Sequence, residues 1–262
     1  MTLDALVSRW GPTYLMILAR CGGVVAFGPV VGSQAIPPLL RTGLAGALAL
    51  MLTSLSGGRG PDLPSNPIAL AATLMGELAV GAVLGLAVRF TFAGIGMAGE
   101  LAAVQMGVGL PAALDPLSMV QVSSVNHLLD QIAILVFLGV GGHHALLAAL
   151  AQSLTLAPLL SVGFDGGTME YLLGLFQAAL FLAIRLAAPV GAAMLATVVA
   201  LGLLNRVAPQ VNVFMVSFAL SIGVGLLVLL GALPVLGAVM AGSFGELPTT
   251  FVGLLARVRH GL

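Results

Sequence analysis

The chain has 262 residues, of which 60% are hydrophobic and 7% charged; nine arginines, with no lysine, balance nine acids to zero formal charge, and mean hydropathy is +1.16. No water-facing surface can be assembled from that composition, which reads as an integral membrane protein, and the missing basic surplus argues against nucleic acid as a partner. The single cysteine, Cys21, excludes an internal disulfide and sits in an apolar run, where an inert buried thiol is expected.

Apolar blocks fall near 13–31, 39–55, 68–110, 128–160, 171–204 and 213–240. The first carries Arg20 inside its apolar run and no A-x-A-like site, so it reads as a retained helix and not as a signal peptide. A helix rises ~1.5 Å per residue against a hydrocarbon core of ~30 Å, so the block 68–110 is about twice the length of a span. It must break, tilt or leave the bilayer, and the glycines at 94, 96 and 99 are the predicted break. Gly81 and Gly85 stand at GxxxG spacing, which allows close backbone approach.

Leu101 to Val125 is Gly- and Pro-punctuated and almost uncharged. Irregular backbone has unpaired N–H and C=O groups that lipid cannot satisfy, so this segment must be wrapped in protein or line a channel. Farther on, Gly141, Gly142, His143 and His144 split 128–160 into half-length pieces, read as a hairpin. Pro189 removes the helical hydrogen bond to the Arg185 carbonyl and predicts a kink beside that charge. The polar run Asn205, Arg206, Gln210 and Asn212 around Pro209 reads equally as a kinked helix or an inter-helix turn. Beyond Phe244, Leu254, Leu255 and Val258 alternate with polar residues, as in a helix lying along a membrane interface, and Arg257, Arg259 and His260 favour a cytoplasmic C-terminus. The fold expected is an all-α integral membrane protein of about six apolar blocks, broken helices and helical hairpins, in one domain over residues 1–262.

Arg20, Glu77, Arg89, Glu100, Asp130 and Arg185 lie in or beside apolar blocks, where a charge costs ~2.5–3.5 kcal/mol at helix centre. Glu77, Arg89 and Glu100 follow one another by 12 and 11 residues, too far to pair on one helix, so their partners belong on other helices or other subunits. Buried ion pairs setting helix register are the first reading; a proton relay would need closely spaced acids or histidines, which the sequence lacks.

Three motif matches are set aside. Gly94 to Gly99 fits GxGxxG, but no strand precedes it and no acid follows ~20 residues on, so it reads as helix packing or a hinge. His143 and His144 have no nearby Cys or carboxylate to complete a metal site. Met97, Met106 and Met119 read as core residues or as an adaptable seal. No nucleophile–base spacing or nucleotide motif is present, so neither an enzyme nor a cofactor is expected.

Several landmarks occur together and in order: Ala19-Arg20, Phe27-Gly-Pro-Val-Val-Gly-Ser33, Pro37-Pro-Leu-Leu-Arg41, Gly99-Glu100, Gln105-Met-Gly-Val-Gly109, Asp115-Pro116, Gly142-His-His144 and Arg206-Val-Ala-Pro-Gln-Val-Asn-Val-Phe214. This set resembles the FliR/SctT-like family of type III export gate subunits. The resemblance implies a subunit that joins FliP-like and FliQ-like proteins, with FlhB- and FlhA-like export components nearby. The assembly would sit in the bacterial cytoplasmic membrane, in contact with lipid, at the flagellar basal body, with unfolded flagellar proteins as cargo. It further implies that hydropathy overstates the spans, because the assembled gate lifts much of this helical material out of the bilayer plane.

By the same resemblance, Gln105, Met106, Gly107, Val108, Gly109, Leu110, Asp115 and Met119 belong to a plug loop that helps close the channel, near methionines supplied by the FliP-like partner. Arg20, Glu77, Arg89, Glu100, Arg185, Arg206, Asn212 and Phe214 are the candidates for assembly or buried-charge contacts. One position departs from the family pattern: Leu110-Pro111 stands where an aromatic often follows the second glycine, so the seal is expected to differ in shape. The equivalent subunit of a virulence-type injectisome is an alternative with the same fold. A secondary transporter of a small solute, coupled through Glu77, Glu100 or Arg185, is the alternative from another class.

Overall fold

The computed structural model describes residues 3–29, 36–57, 63–108, 124–160, 163, 166–208, 210 and 213–259. Among these lie eight α-helices and no β-strand: α1 (Leu3–Phe27), α2 (Pro38–Leu55), α3 (Pro67–Gln105), α4 (Ser124–Gly139), α5 (Gly142–Leu156), α6 (Gly166–Val207), α7 (Val213–Gly245) and α8 (Leu247–Arg259). Local chemistry sets several ends. Pro38 and Pro67 occupy first helical positions, where proline's missing N–H would have no partner anyway. Asn66 caps α3 by accepting the Ile68 N–H through its Oδ1 at 2.9 Å. Gly141, with φ +77°, breaks the block 128–160 into α4 and α5.

Four stretches are long and apolar enough to cross a membrane, Pro38–Leu55, Pro67–Gln105, Gly166–Val207 and Val216–Val258, and a fifth arises if the broken pair α4 and α5 counts as one span. The molecule is an integral membrane helical bundle. In α3, 56% of the most apolar stretch is buried within the chain, against 17–33% in the other three, so α3 is the most enclosed of them.

The chain divides into two compact units. The first holds residues 1–90, 141–176 and 245–262. Its core joins Met16, Ile17 and Cys21 of α1 to Val80, Leu84 and Val88 of α3, with α2 packed on α1 through Ala45, Ala49 and Leu52. Here α8 packs on α5. Its apolar stripe of Leu247, Phe251, Leu254, Leu255 and Val258 is no more than 2% exposed, so the face expected to meet a membrane interface is used inside the unit. The Arg257 guanidinium, 4.3 Å over the Tyr171 ring, ties α8 to the start of α6.

The second unit holds residues 91–140 and 177–244. On α4 the buried residues Val125, Leu129, Ala133 and Phe137 recur every fourth position, one face of a helix. Phe137 meets Phe92 and Phe244 edge-on, with ring centroids 5.4 and 5.3 Å away. This trio is the aromatic centre of the unit.

Two further expectations fail: residues 101–105, read as irregular backbone, are the last residues of α3, and the predicted break within that helix is absent. No break occurs at Gly94, Gly96 or Gly99: α3 runs 39 residues without interruption, about 58 Å at ~1.5 Å per residue. A Cβ on Gly94 would stand 2.6 Å from the Ala179 carbonyl oxygen, and one on Gly99 would stand 2.6 Å from the Asn126 Cα. These glycines admit neighbouring backbones, and the contact outweighs their poor helix propensity of ~1 kcal/mol each. The Gly81–Gly85 pair works likewise in the first unit, where a Cβ on Gly81 would strike the Arg20 backbone and one on Gly85 would stand 3.0 Å from the Phe27 Cβ.

Candidate functional site

Two constellations carry the residues singled out by sequence, one in each unit. In the second, α3 ends at Gln105 in a tight left-handed cap. The Val108 N–H donates to the Ala103 carbonyl at 3.0 Å and the Gly107 N–H to that of Val104 at 3.1 Å, with Gly107 at φ +76°. This is the six-to-one and five-to-two pairing of a Schellman motif, and glycine is the residue that adopts its left-handed position without strain. Gln105, Met106, Gly107 and Val108 thus form the described start of the predicted loop. Gly109, Leu110, Asp115 and Met119 lie outside the described residues.

Met106 is fully buried and lies against Gly225 of α7. A methyl group on Gly225 would stand 2.8 Å from the Met106 Cε and 2.9 Å from its Sδ. The exposed neighbour Gln105 lies against α6: a Cβ on Gly191 would be 3.1 Å from its Oε1 and 3.5 Å from its Nε2. Sequence reasoning missed both glycines. Among 35 glycines nothing marks these two, since the signal is a partner more than 80 residues away.

In the first unit Arg20 is 0% and Glu77 1% exposed. Arg20 Nε donates to Glu77 Oε2 at 2.7 Å, and Nη2 lies 2.5 Å from the same oxygen. Nη1 donates to the Ser153 carbonyl at 2.9 Å and to its Oγ at 3.0 Å. The other Glu77 oxygen accepts the Leu160 N–H at 3.1 Å; Leu160 has φ +69°, a left-handed backbone that a non-glycine residue seldom holds unaided. One ion pair therefore links α1, α3, α5 and the connection leading to α6. Ser153 and Leu160 escape sequence reasoning, since neither carries a charge to draw attention.

The remaining charges behave differently. Arg89, Glu100, Arg185 and Arg206 are exposed on otherwise apolar helices. Arg185 stands near the middle of the 42-residue α6, which continues through Pro189. Asp130 is half-buried on α4, with its Oδ1 3.4 Å from where a Gly96 Cβ would be. Asn212 lies outside the described residues, as does the side chain of Phe214. The His143 and His144 rings lie 4.0 Å apart, and among the described residues no cluster of three metal-ligating side chains exists.

Residues 12–247, from within α1 to the first residue of α8, match the model for bacterial export proteins, family 1. The chain belongs to this family, in its FliR-like branch. The flagellar biosynthetic protein FliR of Escherichia coli is 27% identical, with 91% of this chain and 90% of that protein covered. The protein of that name from Pectobacterium carotovorum is 29% identical, covering 95% of each chain, and the one from Aquifex aeolicus 30% identical over 83% of this chain and 84% of its own. For this family member, the matched span takes in Arg20, Glu77, the end of α3, Gly191 and Gly225.

Proposed function

We propose that this chain is a subunit of the flagellar type III protein export gate, forming with FliP- and FliQ-like partners the gated channel that passes unfolded flagellar proteins across the bacterial cytoplasmic membrane at the basal body. The observation that carries this reading is the family match along residues 12–247, joined by FliR proteins covering nine-tenths or more of this chain. The helices add physical support. Arg89 and Arg185 stand exposed well inside long apolar helices, where a charge facing lipid costs ~2.5–3.5 kcal/mol, so each calls for a partner subunit or an aqueous path. Arg20 and Glu77 neutralise each other inside the fold and serve its internal register. Energy coupling, which a passive conduit lacks, then resides in other components of the export apparatus.

In this reading the segment begun by Gln105–Val108 closes the channel until cargo arrives, and apolar side chains there exclude water and ions. The flagellar system is preferred to an injectisome because the relatives quoted above are named flagellar biosynthetic proteins. Affinity purification of the tagged chain in mild detergent, followed by native mass spectrometry, tests the assignment. A discrete complex with several FliP- and FliQ-like subunits is expected; a stable particle without partners would favour a self-sufficient transporter. Deleting residues 109–121 tests the closure: the assembled complex is expected to leak small ions, and an ion-tight deletion would remove the plug role.

A further inference from the structure

The end of α3 rests on two other helices at two glycines, and this arrangement goes beyond what closure by a loop requires. Met106 has no exposed surface, and its thioether fills the notch left by Gly225. At Gly223, two residues earlier on α7, an added Cβ would meet nothing within 4 Å, so α7 does not carry glycine everywhere for close approach. Gly225 sits inside a 33-residue helix, where glycine is the poorest helix former after proline, and the neighbour that occupies the vacated space is Met106. On the adjacent residue, Gln105 places its amide against Gly191 of α6. Two successive side chains thus seat on two different helices, which sets both the height and the rotation of the α3 terminus. Directly after them the Schellman cap at Gly107 turns the backbone.

We infer that Met106 seated on Gly225 is the positioning contact that holds the closed state of the channel, and that opening withdraws the methionine from its glycine notch. The inference rests on the export-gate reading. Methionine suits such a detent: unbranched, with three rotatable bonds and a polarizable sulfur, it fills an irregular notch and leaves it without backbone rearrangement. A branched side chain would be held by one rotamer, and a larger residue at 225 would close the notch. Gln105 on Gly191 is the second support, keeping the helix end in register while Met106 moves.

The test is a pair of cysteines, Met106→Cys with Gly225→Cys, in the full chain co-expressed with its partners. The notch contact puts their Cβ atoms in disulfide reach. Diamide, a thiol oxidant, takes two hydrogens from the two thiols and closes the bond; the native Cys21 is 0% exposed and does not compete. Oxidation is expected to abolish export of cargo while the assembled complex stays ion-tight, and dithiothreitol is expected to restore export. Failure of the bond to form in the assembled complex, or undiminished export after it has formed, overturns the inference. Should the double-cysteine chain not assemble, Gly225→Ala is the second variant: it evicts the thioether and is expected to admit small ions in a complex that still co-purifies, and ion-tightness there refutes the detent. The residue 109–121 deletion separates the two levels. If that deletion is tight, the closure reading itself has failed; if it leaks while cross-linked chains export freely, only the detent has.

Discussion

Removing the Arg20 guanidinium is the most informative single perturbation of this fold. Arg20 and Glu77 are 0% and 1% exposed, so neither charge has water to fall back on. In Arg20→Met the Glu77 carboxylate loses its cation and retains the Leu160 N–H, and the Ser153 carbonyl and hydroxyl lose the Arg20 donor. Breaking one side of a buried ion pair costs about 3–5 kcal/mol, because the survivor is an uncompensated charge. Glu77→Leu is expected to cost a similar amount from the other side. The double variant should cost far less than the sum. Burying two apolar side chains in place of the pair is often neutral, and what remains is the loss at Ser153 and Leu160, about 1–3 kcal/mol. A double-mutant cycle on unfolding of the detergent-solubilised assembly should therefore show a coupling of about 3 kcal/mol or more. Single variants that each lose under about 1 kcal/mol, or a double that is merely additive, would refute the view that this pair is an isolated buried charge couple.

Neighbouring glycines give a sharper contrast. A Cβ added at Gly22 would meet nothing within 4 Å, whereas one on Gly23 would stand 2.6 Å from the Ala82 nitrogen and closer still to the Leu78 carbonyl. Gly22→Ala should be neutral or stabilise by up to about 1 kcal/mol through helix propensity, and Gly23→Ala should destabilise by about 1–3 kcal/mol; equal melting temperatures for the two would contradict the close α1–α3 crossing. Gly107→Ala forces a Cβ into the left-handed cap at φ +76° and should cost about 1–2 kcal/mol, measured as earlier thermal unfolding of the purified complex. Phe137→Ala empties the space between Phe92 and Phe244 and should cost about 3–5 kcal/mol, with Phe137→Leu recovering most of it; an alanine variant as stable as the parent would mean the trio is not a core.

How much of the structure is legible in the sequence varies with the reach of the interaction. Block 128–160 reads as broken at Gly141–His144, and a left-handed Gly141 stands there, because a backbone angle is a property of the residue itself. Block 68–110 reads as broken at Gly94–Gly99, yet α3 is continuous. The difference is physical. Glycine lowers helix propensity and also makes room for a neighbour, and only the presence of Ala179 and Asn126 decides which effect prevails. The amphipathic stripe of α8 is likewise legible, but not that α5 covers it instead of lipid, since hydropathy reports exclusion from water and not the identity of the excluder.

By itself, the amino-acid sequence determined the membrane class, the approximate positions of the apolar helices, the presence of a Gly- and Pro-punctuated stretch between 101 and 125 and the need of Arg20 and Glu77 for partners. Each follows from composition, helical rise or the cost of an isolated charge, all of which are local. Only the tertiary structure decided that Arg20 takes Glu77, 57 residues away, with Ser153 as second acceptor, and that Met106 takes Gly225. Those choices depend on which helices approach within a few ångströms of one another, and that is settled by the packing of the whole bundle and by no single segment of it.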